Sequence, residues 1–219
     1  NLLITNPKDF EGFVKILKKN KFHSITGVNT LYRKLMNVDG FNDVDFSSLK
    51  LTLSGGMSVT RDVADDWKKI TGTPIIEAYG LTETSPAATI NPLDLKEYNG
   101  FIGLPLPSTF IQIKDDDDND LGIDAEGELC IKGPQVTQGY WKRPDESKKA
   151  FTKDGYFRTG DYATINAKGY VKILDRKKDM ILVSGFNVFP NEIEAILMLH
   201  PDIVEAAAIA MPYPSSGEA

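Results

Sequence analysis

The chain has 219 residues, 41% of them hydrophobic, with a formal net charge of −6. That length suits one large or two modest domains, the acidic balance argues against a nucleic-acid surface, and no apolar run approaches the roughly 18 residues needed to span a bilayer as a helix. The single cysteine, Cys130, excludes an internal disulfide and suits a reducing cytoplasm, and no signal-peptide pattern is present.

The first third of the chain alternates helix and strand patterns. Residues 7–21 carry Phe10, Phe13, Val14 and Leu17 at helical spacing. "FHSITGV" reads as a strand, and "NTLYRKLMN" as a helix with Asn29 or Thr30 placed to cap it. "LKLTLSGG" alternates with period two and ends in Gly-Gly. The next helix, "SVTRDVADDWKKITG", has Ser58 as its expected cap, Val63 and Trp67 on one face and Gly72 as its stop. "PIIEAYG" is a short buried strand. Strand, helix, strand, helix, strand implies a parallel sheet with crossover helices, an α/β fold. In such sheets ligands sit beyond the carboxyl ends of the strands. "SGGM" (54–57) and "YGLTE" (79–83) both fall there.

From about Gly100 the texture changes. "STFIQIKDDDDNDLGIDAEGELCIKG" reads as two strands joined by an acidic turn, and residues 138–179 as short strands with Gly turns, a small antiparallel sheet or β-barrel-like subdomain. "MILVSG" is a strand, "PNEIEAILMLHP" a helix with Ile193, Ile196 and Leu197 on its apolar side, and "IVEAAAIAMP" a further strand. This β-α-β pattern reads as the start of a small α+β C-terminal domain. The expected organisation is therefore 1–99, 100–175 and 176–219. Asn1 opens inside an apparent strand and Ala219 closes a Gly/Ser loop, so the sequence reads as an internal piece of a longer enzyme.

Several candidate motifs fail on chemistry. "DDDDND" (115–120) lacks the Gly at the sixth position that an EF-hand loop needs, and a solvated hairpin tip is expected instead. His23, His200 and Cys130 show no metal-ligand spacing; Cys130 has strand periodicity and is expected in the core. No G-x-S-x-G elbow, G-x-G-x-x-G turn or complete Walker loop supports a hydrolase or a simple dehydrogenase. The remaining candidates place polar groups beside glycines at turns. "SGGM" is equally a tight strand-to-helix turn or a cradle letting a planar ligand approach the backbone. "YGLTE" offers an aromatic face for a base, hydrogen-bonding groups and one carboxylate for a hard cation. "FRTGD" sets Asp161 after a Gly turn, where it can accept from the two hydroxyls of a ribose. Arg176 in "LDRKKD" faces wherever Asp161 faces if their strands pair.

Taken in order, "YGLTE", "GELCIKGPQVTQGYW", "YFRTGD" and "DRKKDMILVSGFNVFPNEIE" resemble the adenylate-forming superfamily of acyl-CoA synthetases, luciferase and peptide-synthetase adenylation domains. "TGVNTLY", "DRKKDMILVSGFNVFPNEIE" and "PSSGEA" are similar to bacterial long-chain fatty-acid–CoA ligases. The resemblance covers nearly the whole chain. It implies that Gly55, Gly56 and Tyr79, with backbone from Glu77 and Ala78 and with Gly80, hold adenine. Thr82 would contact the α-phosphate and Glu83 would coordinate Mg²⁺, making these two the catalytic candidates. Asp161 would hold the ribose, with Arg176 on its ribose and phosphate side. Ser184, Gly185 and Phe186 would border the CoA pantetheine channel, Lys178 would be the hinge of a rotating C-terminal domain, and "GVNTLY" and Gly55 to Met57 would border an acyl tunnel.

The implied reaction joins a fatty acid, ATP and CoA through an acyl-adenylate, in the cytoplasm or peripherally at the inner membrane face. The resemblance places the family's phosphate loop upstream of Asn1 and its catalytic Lys downstream of Ala219. Leu182 and Ser184 stand where some relatives carry Lys, which speaks against a cationic CoA contact from that segment. Two other readings are open: an adenylating enzyme that loads a carrier protein, and a non-catalytic nucleotide-binding module.

Overall fold

The computed structural model describes residues 2, 4–198, 200, 202–203, 206–213 and 216–218. They form two compact units, Asn1–Leu106 and Pro107–Ala219, and each is described by itself.

The first unit begins with α1 (Phe10–Lys19), whose cap Asp9 accepts the Gly12 N–H at 2.8 Å and whose Phe13, Val14 and Leu17 face the core. Then come β1 (Ser24–Gly27), α2 (Asn29–Met36), β2 (Leu51–Ser54), α3 (Arg61–Thr71) and β3 (Ile75–Gly80). β1, β2 and β3 pair in parallel, as the alternation of patterns implies. The sequence pattern does not mark β4 (Ala87–Ile90) and β5 (Leu104–Pro105), which extend the sheet antiparallel from β3. Both are short and follow a loop instead of a helix, so no crossover pattern announces them.

The core centres on Trp67, whose ring packs against Tyr32 and Phe41 and whose indole N–H donates to Thr52 Oγ1 at 3.0 Å. Gly72 ends α3 in a left-handed conformation, φ 77°, as its position predicts. The expected caps are different. Thr60, not Ser58, precedes α3, and α2 starts at Asn29 itself with Val28 as its cap residue. The Asn29 side chain instead accepts the Thr60 N–H at 3.2 Å, tying the start of α2 to the start of α3.

The second unit contains β6 (Phe110–Lys114), β7 (Gly127–Lys132), α4 (Pro144–Lys149), β8 (Phe157–Ile165) and β9 (Val171–Arg176). The four strands form an antiparallel sheet in chain order. In this small antiparallel sheet β6 and β9 are the end strands among the described residues. Cys130 lies fully buried in β7.

Next come β10 (Ile181–Val183), β11 (Phe186–Val188), α5 (Pro190–Leu197), β12 (Pro212–Tyr213) and β13 (Gly217–Glu218), with sheet order β11-β10-β13-β12. Residues 203 and 206–211 carry no strand, so the strand expected over 203–212 is not formed there; residues 204 and 205 lie outside the described set. The apolar side expected for α5 is not buried either: Ile196 is 70% exposed and Leu197 45%. The helix is held at its start instead, where Asn191 donates its backbone N–H to Asp175 Oδ2 at 2.9 Å and its side-chain amide to the Leu174 carbonyl.

Candidate functional site

At the carboxyl end of the parallel strands, the register sets Ser54 opposite Glu77, so Gly55 comes beside Ala78. A Cβ on Gly55 would stand 3.3 Å from the Ala78 carbonyl oxygen, and Gly56 has φ 82° with open space around it. The two glycines therefore make a low, uncovered backbone surface next to Ala78. Met57, just beyond, is exposed.

The turn is held from beneath by groups that no motif marks. Glu77 Oε1 accepts the Val59 N–H at 2.9 Å, and the Tyr98 hydroxyl donates to the Val59 carbonyl at 2.6 Å. Burial pushes the Glu77 carboxyl up to about 7, against the lowering effect of the Val59 N–H and the Tyr98 hydroxyl. Glu77 is thus an internal brace for the Gly-Gly turn. The signal for it was a Glu at the end of an apolar strand.

The loop after β3 sorts its polar groups. Gly80 sits at a register shift, and a Cβ there would collide with the Pro86 carbonyl, so only glycine fits. Thr84 is fully buried; its Oγ1 accepts the Leu81 N–H at 2.8 Å and donates to the Pro86 carbonyl at 2.6 Å. Thr84 therefore closes the turn. Thr82 is exposed and Glu83 half-buried on the same 3-10 turn (Thr82–Thr84). These two remain at the surface beyond the strand end. The ring of Tyr32, in the segment expected beside the acyl tunnel, is wholly buried in the aromatic core, where its hydroxyl donates to the Leu53 carbonyl at 2.5 Å.

In the second unit, β8 and β9 pair with Asp161 directly opposite Arg176, and Arg176 Nε stands 3.0 Å from Asp161 Oδ1. Asp161 does not follow a turn, as its sequence suggested. It lies inside β8, after Gly160, whose φ of 72° accompanies a register shift against Glu128 and Cys130 in β7. The bulge turns Asp161 into a buried position, 4% exposed, while the Arg176 side chain stays more than half exposed. Ser184 and Gly185, with φ 51° and 87°, form the two-residue turn between β10 and β11, the backbone such hairpins favour. Phe186 comes next, 75% exposed. Lys178 is exposed in the turn after β9, where the Arg176 carbonyl accepts the N–H groups of Asp179 and Met180.

Among the described residues no group of three or more His, Cys, Asp or Glu could enclose a metal ion. A single carboxylate such as Glu83, next to the exposed Thr82, suits a cation of the Mg²⁺ type, which takes one or two carboxylates and completes its shell with water and substrate phosphates. No helix among those residues is long and apolar enough to cross a membrane.

The likeness to known proteins extends along the whole chain. The chain is 53% identical over all its residues to a long-chain-fatty-acid–CoA ligase of Yersinia pestis, and 37% identical over 94% of its length to one of Bacillus subtilis. It spans 39% and 37% of those proteins. Among solved structures, ATP-bound MatB from Rhodopseudomonas palustris superposes with a TM-score of 0.87 at 33% identity, over 96% of this chain and 41% of that one. The o-succinylbenzoate CoA synthetase MenE of Bacillus subtilis, in complex with its acyl-adenylate intermediate, gives 0.84 at 25% identity, over 96% of this chain and 42% of that one. The profile of the AMP-binding enzymes matches residues 2–141, from before α1 through the Gly-Gly turn and the "YGLTE" loop to beyond β7, and the chain belongs to that family.

Proposed function

We propose that this chain is part of an ATP-dependent long-chain fatty-acid–CoA ligase. The observation that carries the reading is the 53% identity, over all 219 residues, to a ligase of that name. In this reading a fatty carboxylate attacks the α-phosphorus of ATP, giving acyl-adenylate and pyrophosphate, and the CoA thiol then displaces AMP.

The residues take roles their chemistry suits. The flat backbone of Gly55, Gly56 and Ala78, with Glu77 beneath and Tyr79 and Gly80 following, receives the adenine ring. The Thr82 hydroxyl donates to an α-phosphate oxygen. Glu83 binds Mg²⁺, which when present offsets phosphate charge as the carboxylate anion approaches. Asp161 accepts the ribose hydroxyls, sharing its carboxylate with Arg176. Ser184, Gly185 and Phe186 border the pantetheine arm of CoA. Residues 1–99 belong to the nucleotide- and acyl-binding core and 100–175 to the sheet that carries Asp161. Residues 176–219 open a C-terminal domain that turns about Lys178 between the two half-reactions. The enzyme works in the cytoplasm or at the inner membrane face.

The test uses the full-length protein with ATP, Mg²⁺ and palmitate. Acyl-CoA and AMP should accumulate when CoA is added. Pyrophosphate exchange without acyl-CoA, but with acyl transfer to a carrier protein, would replace this reading with a carrier-loading enzyme. Nucleotide binding with neither half-reaction would make the protein a binding module.

A further inference from the structure

The acidic run 115–120, expected as a solvated hairpin tip, is not simply solvated. It lies between β6 and β7 and folds back on the sheet, so that Asp118 pairs with Arg158 and Asp116 Oδ1 stands 2.6 Å from Lys177 Nζ. Between them lies Glu128, a carboxylate with a 5% exposed side chain. Its Oε2 receives both Arg158 Nη1 and Lys177 Nζ at 2.9 Å, and its Oε1 the Gly160 N–H at 3.2 Å. Lys177 is gripped a second time through its backbone, because its N–H donates to the Gly160 carbonyl at 2.8 Å. Burial works against the charge of Lys177, yet Asp116 and Glu128 hold its pKa above the ordinary lysine value.

The position of Lys177 gives this network a consequence. It stands one residue after Arg176, which faces Asp161, and one residue before exposed Lys178. We infer that Asp116 and Glu128 form a latch on Lys177 that fixes the near side of the pivot, so that rotation starts at Lys178 while Arg176 keeps its place against Asp161. The inference rests on the pivot reading given above. Lys177 is a positioning residue in this account: it acts through Arg176 and Lys178. With the latch loosened, the bend spreads over residues 176–178 and the second pose is less sharply defined. Thioester formation needs that second pose; adenylation does not.

The experiment measures pyrophosphate exchange and single-turnover thioester formation separately in the full-length enzyme. Lys177→Met should slow thioester formation about fivefold or more, a loss of roughly 1 kcal/mol, while exchange changes less than about twofold. Lys177→Arg, which keeps the charge, should restore most of the loss. Asp116→Asn, at the exposed tip, should act in the same direction more weakly. Its difference from wild type should shrink at high salt, because an exposed pair is screened while the Glu128 contact is not. Lys178→Pro is measured beside them. A split between half-reactions in Lys178→Pro without one in Lys177→Met overturns the latch and leaves the pivot. No split in either overturns both. Equal losses in both half-reactions of Lys177→Met that track its melting temperature would make the network structural only.

Discussion

Glu77 is a carboxylate beneath the Gly-Gly turn that is more easily buried neutral than charged, and its pKa is pushed up to about 7 chiefly by that burial. The groups facing it are the Val59 N–H and the Tyr98 hydroxyl, with Arg61 over the Tyr98 ring. In the unfolded chain the carboxyl titrates near its ordinary value of 4.5. The folded state therefore binds the proton more tightly. The stabilisation is complete below the unfolded value and is lost as pH rises through the folded one. Over that window the loss is on the order of 3 kcal/mol, at about 1.4 kcal/mol for each pH unit between the two values. Glu77→Gln is neutral at every pH and should flatten this dependence. Urea unfolding of both proteins between pH 5 and 8 should show the wild type losing ground to the variant as pH rises; a constant difference would mean Glu77 is ionised throughout. At this scale the sequence marked the loop after β3 but not the duty of each side chain in it. Thr82 and Thr84 flank the same carboxylate and look alike in the string, yet one is exposed and the other closes the turn. Burial separates them, and burial depends on Pro86 and Leu81 folding back, which no local pattern records.

At the scale of elements, helices and parallel strands were legible because their periodicities are strong, whereas the N-terminal caps of α2 and α3 were misplaced by the local pattern. β4 and β5 were not legible, since a four-residue and a two-residue strand carry too few positions for a period to appear. The β8–β9 pairing lay between these cases. That Asp161 and Arg176 meet if their strands pair follows from register alone; the bulge at Gly160 that buries Asp161 does not. This pairing yields a prediction about binding. Hydrogen bonds to a charged acceptor are worth roughly 1.5–3 kcal/mol each. If Asp161 takes the ribose role proposed above, Asp161→Ala in the full-length enzyme should raise the ATP concentration needed for adenylation about tenfold or more, at about 1.4 kcal/mol per decade. The ladder itself is backbone-bonded, so the circular dichroism of the sheet should persist. An unchanged ATP dependence with an intact sheet would remove Asp161 from the ribose site and leave it as the structural partner of Arg176.

For the molecule as a whole, the change of texture near Gly100 was visible in composition, because Gly turns and short strands replace long amphipathic helices. The second unit's small sheet was not, because its strands are two or three residues long and two of them lie beyond α5. In the reading proposed above, the pivot is Lys178. On its near side, Arg176 and Lys177 are fixed to the β6–β9 sheet by the Asp161 pair, by Glu128 and Asp116, and by the Gly160 carbonyl. On its far side β10 starts at Ile181 in a different sheet. Between them Lys178 is exposed, in a turn closed by bonds to the Arg176 carbonyl. Hinges are commonly a few residues at element ends that absorb a change in φ and ψ. Proline at 178 would hold φ near −65° and keep residue 177 out of the helical region. It would thus permit one orientation of the downstream segment and penalise the other. If the proposed pivot holds, Lys178→Pro in the full-length enzyme should slow one half-reaction much more than the other, with thioester formation the more affected, because in that reading adenylation needs a single pose. Pyrophosphate exchange and acyl-CoA formation, measured separately, give the ratio. A ratio equal to that of the wild type, whether both rates fall or neither does, would make Lys178 an ordinary solvated linker and move the pivot elsewhere in the chain.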